Sequence, residues 1–147
     1  MTQVANSVKS TTLIDARGPR FGAAITTIVF AAALATHNAW FVLAQAVVFA
    51  IGAFKGPQYT PYAFIYKKAV KPLLKGEVPT EEVKPPQFAQ KVGLLFALVA
   101  IAGAVLGIDA LVIGAVAMAL GAAFLNAAFN FCLGCEMYLL LLRARSK

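Results

Sequence analysis

The chain has 147 residues, of which 61% are hydrophobic and 13% are charged, and its mean hydropathy is +0.78. A soluble domain carries about 25% charged residues, so this composition excludes an ordinary soluble fold and indicates one membrane domain. The formal net charge is +7, but the basic residues flank apolar segments and do not alternate with base-stacking aromatics. This arrangement excludes nucleic acid as a partner and favours attraction to anionic lipids.

The basic residues are confined to three parts of the chain. All thirteen Lys and Arg residues lie within residues 9–20, 55–91 and 143–147. The short turns 36–39 and 107–110, which separate apolar segments, carry none. Because loops that carry Lys and Arg stay on the cytoplasmic side of a membrane, we expect both termini and the central loop in the cytoplasm. The two turns are expected outside.

The apolar segments predict an all-α integral membrane protein with four transmembrane helices arranged as two hairpins. The predicted elements of this single membrane domain, residues 1–147, are the spans 19–36, 39–54, 86–107 and 111–131 and a cytoplasmic tail, 143–147. At about 1.5 Å per residue, the third span is roughly 30 Å long, which is enough for a hydrocarbon core, whereas the first two are short. Pro19 and Pro86 suit a first helical turn, where the missing N–H group has no partner in any case.

The central loop contains a predicted amphipathic helix at about residues 61–72, which Thr60 can cap. With a helical period, one side of it carries Tyr62, Tyr66, Ala69 and Leu73. The other side carries Lys67, Lys68, Lys71 and Lys75. Such a helix lies in the inner interface of a bilayer, where the lysines either anchor it to lipid or dock an acidic cytoplasmic partner. Residues 76–86 are expected to form an exposed linker.

Small residues are concentrated in the second predicted hairpin. Gly103 and Gly107 are four residues apart near the end of the third span. Gly114, Ala117 and Gly121 share one face of the fourth span at helical spacing. Because small residues let helix backbones approach closely where lipid supplies no hydrophobic drive, we expect these glycines to pack the bundle. A homodimer face is the alternative.

Both cysteines of the chain lie at the end of the fourth span in a C-x-x-C arrangement. On a continuous helix, Cys132, Cys135 and Glu136 share one face through their i, i+3 and i+4 spacing. That face continues a stripe formed by Gly114, Gly121, Leu125 and Ala128. We therefore expect the thiols to point into the bundle. A helix of about 31 Å, measured from the outer turn, places Cys132 at the cytoplasmic boundary.

Three interpretations of this motif remain open. In the first, Cys132 and Cys135 alternate between dithiol and disulfide, because one helical turn brings the Cα atoms within bonding range. Thiol reactivity is raised by the free N–H groups of a helix N-terminus, so this interpretation needs a helix break, for which Gly134 is the candidate. In the second, the thiolates supply half of a tetrahedral metal site. The other ligands would come from Glu136, a second subunit or a cofactor, because the topology places His37 across the membrane.

In the third interpretation, both cysteines are small buried apolar residues, as cysteine often is. Two amides precede the motif on another side of the helix. Asn126 and Asn130 are one turn apart, and they either hydrogen-bond to a neighbouring span or line a polar path to the cysteines. The sequence alone does not choose among these roles.

Four motifs give the chain a resemblance to a known family. They are Asp15-Ala16-Arg17-Gly18-Pro19-Arg20-Phe21, Gly56-Pro57-Gln58-Tyr59-Thr60-Pro61-Tyr62, Pro86-Gln87-Phe88-Ala89 and the ending from Asn126 to Tyr138 with Phe-Cys-Leu-Gly-Cys-Glu. Over nearly its whole length, the chain resembles a family of small bacterial four-span membrane proteins catalogued only as a domain of unknown function. The resemblance implies a multi-pass protein of the bacterial inner membrane, and it implies no activity.

The leading hypothesis from the sequence is thiol–disulfide redox chemistry or sulfur transfer at the cytoplasmic boundary. Cys132 and Cys135 are the candidate catalytic pair, with Glu136 as a proton acceptor or donor beside them. The partners expected are the lipid bilayer and a thioredoxin-like or sulfurtransferase protein of the cytoplasm, and no cofactor is assigned. Whether the protein is an enzyme is left open. The alternative is a non-catalytic scaffold or accessory subunit of a membrane complex, and a transporter ranks third.

Overall fold

The structure, a computed structural model, describes residues 13–74 and 80–146 and is all-α apart from one pair of short strands. In chain order, the strands and α-helices are β1 (Leu13–Asp15), α1 (Arg17–Thr36), α2 (Ala39–Phe54), α3 (Pro61–Ile65), β2 (Thr80–Glu82), α4 (Lys84–Leu106), α5 (Asp109–Phe129) and α6 (Leu133–Ser146). Between α3 and β2, a π turn covers Tyr66–Val70 and a 3₁₀ turn covers Lys71–Leu73. Another 3₁₀ turn, Pro57–Tyr59, precedes α3. The predicted linker of residues 76–86 lies partly outside the described residues.

Four long helices pack around one core. Helix α1 contacts α2 and α5, and α4 contacts α2 and α5 as well. The buried core consists mainly of alanine with a few larger residues, namely Phe30, Ala33, Val42, Ala46, Phe49, Ala97, Ala100, Ala115, Val116 and Ala119. The rings of Phe30 and Phe49 meet with centroids 6.0 Å apart. Alanine at the crossings lets the helix backbones approach closely, which suits association within lipid.

Among the described residues, three helices are long and apolar enough to cross a membrane: α1, α4 and α5. Helix α2 is apolar but has only 16 residues. Large hydrophobic side chains lie on the outside of the bundle, for example Ile28, Leu95 and Val105, which are 60–79% exposed. A soluble protein seldom exposes a continuous apolar surface of this kind, so the fold is that of a membrane protein.

The helix ends have identifiable caps. His37 follows the last residue of α1 and Gly107 follows the last residue of α4, and both take the left-handed conformation, with φ of 54° and 75°. The Asn38 side chain accepts a hydrogen bond of 3.0 Å from the Trp40 N–H group and so caps α2. These caps close the two short turns between the helices of each pair.

The other end of the bundle, which we call the loop end, joins more distant parts of the chain. The Gln87 amide donates to the Ala53 carbonyl oxygen at 2.9 Å, which ties the start of α4 to the end of α2. Strands β1 and β2 pair antiparallel here, with Leu13 opposite Glu82. The sequence did not predict this pair, and it means that the end of the supposed linker is structured, with Val83 buried behind it.

The four glycines predicted to pack the bundle have different surroundings. A methyl group added at Gly103 would meet Leu111 and Val112 at 3.1 Å, so this glycine does lie at the α4–α5 contact. Gly107 instead supplies the left-handed end of α4. Nothing in the described chain lies within 4 Å of an added methyl group at Gly114 or Gly121. The expected bundle-facing stripe is therefore wrong, because Gly114, Gly121 and Ala128 are exposed.

Candidate functional site

The fourth long helix does not continue through the C-x-x-C motif. Helix α5 ends at Phe129, and Asn130 takes the left-handed conformation with φ of 55°. Among residues with a Cβ, asparagine tolerates this conformation best. The chain then restarts as α6 at Leu133. Only the redox interpretation of the sequence needed a break, with Gly134 as the candidate, and the structure places the break four residues earlier, at Asn130.

The break puts Cys132 immediately before the first turn of α6. Cys132 and Cys135 are joined by a disulfide, and their Cα atoms are 5.1 Å apart. The Cys135 N–H group points at Cys132 Sγ at 3.1 Å, and the Glu136 N–H group donates to the Cys132 carbonyl oxygen at 3.0 Å. Cys132 thus occupies the N-cap position, and its sulfur receives an N–H group of the first turn. This is an environment that stabilises a thiolate.

Glycine 134 allows α6 to lie directly against α4. A methyl group at Gly134 would come within 2.5 Å of Ala89 Cβ and 2.6 Å of Ala89 Cα. The rings of Phe88 and Tyr138, on the same two helices, meet with centroids 5.6 Å apart. The glycine of the motif is therefore explained by close packing behind the disulfide.

A basic side chain fixes the end of α5 from the opposite side. Arg20 Nε donates to the Ala127 carbonyl oxygen at 3.0 Å, and its Nη2 donates to the Ala128 carbonyl oxygen at 3.4 Å. The last carbonyl groups of a helix lack partners within the helix, and a cation is favoured beside them. Arg20 in α1 thus stabilises the point at which α5 stops and the C-x-x-C motif begins.

Glu136 and the two asparagines share a small cavity with the cysteines. This cavity of about 280 Å³ is lined by Asn126, Asn130, Cys132, Cys135 and Glu136, together with prolines of α1 and α4 and a leucine of α6. The interpretation that the asparagines line a polar path to the cysteines is consistent with this placement. Glu136 is exposed, and both cysteines are partly buried.

A larger cavity of about 680 Å³ lies between the helices at the loop end. Its walls come from all four long helices, from α3 and from the start of α6, and Cys132 contributes to them. Most of the surface is apolar, including Phe49, Phe96, Met118 and Leu133. Its size is that of a small-molecule site, for which about 300–1,000 Å³ is typical. The sequence analysis predicted no such cavity.

A chain of polar side chains is buried in the wall of this cavity. The Tyr62 hydroxyl donates to Gln45 Oε1 at 2.6 Å, Gln45 Nε2 donates to Thr26 Oγ1 at 3.1 Å, and Thr26 donates to the Gly22 carbonyl oxygen at 2.8 Å. Gln45 is 1% exposed, and burial raises the pKa of Tyr62. The sequence analysis missed this network; the available signal was a single amide, Gln45, within an apolar segment.

Two further amides of the same cavity have unsatisfied oxygens. Gln58 Oε1 and Gln90 Oε1 are buried, and neither has a hydrogen-bond partner among the described residues. The Gln90 side chain lies over Gly52, where an added methyl group would meet its Cδ at 2.7 Å. A buried polar atom without a partner costs about 1–3 kcal/mol, so these amides require an explanation.

Asp15 organises the mouth of the cavity. It accepts hydrogen bonds from Arg17 Nε at 3.2 Å and from the Tyr66 hydroxyl at 2.9 Å, and Lys71 Nζ lies 3.9 Å away. Burial would raise the pKa of Asp15, but the hydrogen bonds from Arg17 and Tyr66 and the charge of Arg17 together lower it. Burial and the hydrogen bond to Asp15 raise the pKa of Tyr66.

The structure describes three of the four lysines that were predicted on the polar side of the helix at 61–72. Lys67 and Lys71 line the cavity, and Lys68 Nζ lies 4.7 Å from the centroid of the Phe64 ring. Lys75 lies outside the described residues. Tyr62 and Tyr66 face the bundle as expected for one side of the helix, whereas Leu73 is 78% exposed. Among the residues that the structure describes, no group of three or more His, Cys, Asp or Glu side chains could hold a metal ion.

A family model described as Domain of unknown function (DUF4395) matches residues 14–143. The chain belongs to this family. The expected membership of a family of unknown function is thereby confirmed, and the matched residues include both cysteines, the helix break and all lining residues of the two cavities except Leu13. Searches of curated proteins and of solved structures found no match. The DUF4395 description carries no activity, so a function must be argued from the site itself.

Proposed function

We propose that this DUF4395 protein is a membrane thiol–disulfide oxidoreductase whose reacting pair is Cys132 and Cys135. The observation that carries the proposal is the position of Cys132 at the N-cap of α6, with the Cys135 N–H group 3.1 Å from its sulfur. On a continuous helix neither sulfur would receive a free N–H group, and both cysteines would be interpreted as small buried apolar residues. The break at Asn130 supports the redox interpretation over the packed one.

The reaction is an exchange with a dithiol partner. A partner thiolate attacks one sulfur of the disulfide, the S–S bond breaks, and a mixed disulfide forms. The second partner thiol then displaces the remaining sulfur, which leaves the partner oxidised and Cys132 and Cys135 as thiols. Two electrons and two protons pass to the protein. Cys132 is the favoured thiolate of the reduced pair because α6 stabilises its charge. Glu136 beside the pair serves as a proton donor when the disulfide is reduced and as a proton acceptor when it forms again.

The proposal includes the four-span topology in a bacterial inner membrane. Three helices have the required length, and α2 is about 24 Å long at 1.5 Å per residue, so it must cross a locally thinned bilayer. The confinement of Lys and Arg to the termini and the central loop favours a cytoplasmic loop end. Helix α5, at about 31 Å, then carries its C-terminal end to the cytoplasmic boundary, where a soluble thioredoxin-like or sulfurtransferase partner reaches the disulfide.

Redox titration of the purified protein tests the proposal. The protein is equilibrated in thiol–disulfide buffers between about −350 and −150 mV, which covers known protein couples, and free thiols are counted by alkylation and mass measurement. We expect one two-electron transition. In the Cys132→Ser and Cys135→Ser variants, this transition disappears. The proposal fails if both cysteines of the wild-type protein stay oxidised, or both stay reduced, throughout the range.

An accessory subunit is the second candidate, and one observation favours it. Gly114 and Gly121 lie on an exposed face of α5 with nothing within 4 Å of an added methyl group. Small residues on an outer helix face suit association with another helix, from a second copy or a larger complex. A subunit with only this role keeps its cellular activity when both cysteines are replaced by serine and loses it with Gly121→Leu. The oxidoreductase shows the reverse pattern.

A further inference from the structure

We propose that the large cavity binds a lipid-soluble quinone, which takes the two electrons that Cys132 and Cys135 accept from their partner. The inference rests on the proposed function and supplies its second substrate. It begins from a juxtaposition: Cys132 forms part of the wall of a cavity of about 680 Å³, and the same cavity contains a buried hydrogen-bonding network on the other helices.

The shape and lining of the cavity fit a molecule with an apolar body and a polar head. Phe49, Phe96 and Met118 provide apolar and aromatic walls, against which a flat ring can stack. The cavity lies within a bundle whose outer surface carries large exposed hydrophobic side chains, so a ligand that dissolves in lipid is present at high concentration beside it. Of the residues that line the cavity, only Asp15, Lys67 and Lys71 are charged, so the walls suit an uncharged ligand better than a highly charged metabolite.

The polar groups of the cavity match both oxidation states of a quinone. A quinone carbonyl accepts hydrogen bonds, and a quinol hydroxyl donates one. The buried amide of Gln90 can present its N–H₂ group to the carbonyl or its oxygen to the hydroxyl, and Gln58 offers the same choice. Their oxygens have no partner among the described residues, which is the state expected of groups that await a donor.

The Tyr62 network adds a fixed contact. Its hydroxyl proton is committed to Gln45 at 2.6 Å, and the chain continues through Thr26 to a backbone carbonyl. The lone pairs of the Tyr62 oxygen remain available to accept a hydrogen bond from a quinol. Because Gln45 and Thr26 are themselves held by hydrogen bonds, the Tyr62 hydroxyl keeps one orientation. Binding of a ligand therefore costs little additional side-chain entropy at Tyr62.

The chemistry balances without another reactant. Cys132 and Cys135 start as a dithiol, lose two electrons and two protons, and form one S–S bond. The two carbonyl oxygens of the quinone gain those two electrons and two protons and become hydroxyl groups. A cytoplasmic thiol partner then reduces the disulfide for the next cycle, so electrons pass from soluble thiols to the membrane quinone pool.

The test uses the reduced, purified full-length protein in detergent and decylubiquinone, a short-tailed benzoquinone, as the probe. We expect one quinone to be consumed for each Cys132–Cys135 disulfide formed, with no consumption by the Cys132→Ser/Cys135→Ser protein. Tyr62→Phe and Gln90→Met should each raise KM for the quinone about fivefold to tenfold, as loss of one buried hydrogen bond predicts. Val105→Ala, at a side chain that is 79% exposed on α4 and does not line the cavity, should leave KM unchanged.

The outcomes separate this inference from the function on which it rests. If the disulfide exchanges with dithiothreitol but the dithiol does not reduce decylubiquinone, the quinone site is wrong and the oxidoreductase stands. If quinone reduction proceeds with the same KM in both cavity variants, the reaction occurs elsewhere and the cavity assignment is overturned. If the cysteines do not exchange with any thiol, both proposals fail together.

Discussion

Gly134 lies where α6 crosses α4, and the backbone of α4 leaves no room for a side chain there. Gly134→Ala would place a methyl group within 2.6 Å of both Ala89 Cα and Cβ. Because backbone and a Cβ atom cannot move aside cheaply, we expect a loss of about 1–3 kcal/mol in the free energy of unfolding. Thermal unfolding in detergent measures this loss of stability. The alkylation rate of Cys132 in the reduced protein shows whether the start of α6 has moved.

The matched control for this prediction is Gly114→Ala. Nothing lies within 4 Å of an added methyl group at that position, and alanine favours a helix interior over glycine by up to about 1 kcal/mol. The control protein should therefore melt at the same temperature as the wild type or higher. Equal destabilisation by both substitutions would show that steric contact with Ala89 is not the reason for Gly134.

Asp15 gives the loop end a pH dependence whose sign follows from its environment. Its pKa is lowered from 3.8, so the stabilisation it provides is complete above that value and is lost as the pH falls through the lower, folded-state pKa. We expect Asp15→Asn to lower the apparent melting temperature at neutral pH, because the asparagine no longer carries the charge that Arg17 and Tyr66 bind. The difference from wild type should narrow below about pH 4.

Wild type and Asp15→Asn are best compared as a difference in melting temperature, because the chain has five acidic residues besides Asp15. Arg17 Nε and Lys71 Nζ both lie within 4.0 Å of the Asp15 carboxylate, so protonation removes two attractive interactions as well as a charged acceptor. A difference in melting temperature that stays constant from neutral to acid pH would mean that the charge of Asp15 contributes nothing to the loop end.

At the scale of elements, the break between α5 and α6 is the feature on which the chemistry depends. Asn130 holds a left-handed conformation with φ of 55°, which costs a β-branched residue more than about 1–2 kcal/mol. Asn130→Val should favour continuation of the helix, move Cys132 away from the N-cap and slow its alkylation in the reduced protein. Asn130→Gly should preserve the helix break and the alkylation rate of Cys132, because glycine adopts positive φ readily.

The alkylation measurement distinguishes local from global effects. Cys135 serves as an internal reference, since its own sulfur receives no N–H group in the hydrogen bonds described. A fall in the rate of both cysteines in Asn130→Val would indicate general rearrangement. Slowing of Cys132 alone supports the role of the helix N-terminus. An unchanged Cys132 would contradict it.

The sequence predicted the long helices well because each carries its own signals. Apolar length, Pro19 and Pro86 in the first turns, and the turn residues Asn38 and Gly107 are all local features. The redox interpretation took Gly134 as the candidate for a helix break, whereas this glycine serves close packing against Ala89. Asn130, which takes the left-handed conformation, is less distinctive in a sequence.

The parts of the site that the sequence did not predict depend on contacts between distant residues. Tyr62 and Gln45 are 17 positions apart, and Thr26 lies another 19 positions before Gln45. No periodicity connects them, because the connection arises only when α3 docks against α1 and α2. The same holds for the β1–β2 pair, whose strands are three residues long and carry too few residues for an alternating pattern to be recognised.

At the scale of the whole molecule, the net charge of +7 and the confinement of Lys and Arg to residues 9–20, 55–91 and 143–147 bear on what the site can meet. If the loop end faces the cytoplasm, the disulfide meets reduced soluble thiols, and a membrane quinone can approach the cavity laterally. If it faces outward, the same disulfide meets the thiols of proteins in an oxidising compartment. The orientation therefore decides which compartment supplies the thiol partner.

Single-cysteine labelling measures this orientation. In a Cys132→Ser/Cys135→Ser background, His37→Cys places a thiol at the α1–α2 turn and Lys68→Cys places one at the loop end; both positions are exposed. An impermeant maleimide added to intact cells should label His37→Cys and leave Lys68→Cys unlabelled until the membrane is opened, because the basic loop is retained inside. Labelling of both in intact cells would mean mixed orientation. Labelling of Lys68→Cys alone would mean that the predicted membrane orientation is reversed and that the disulfide lies on the outer side.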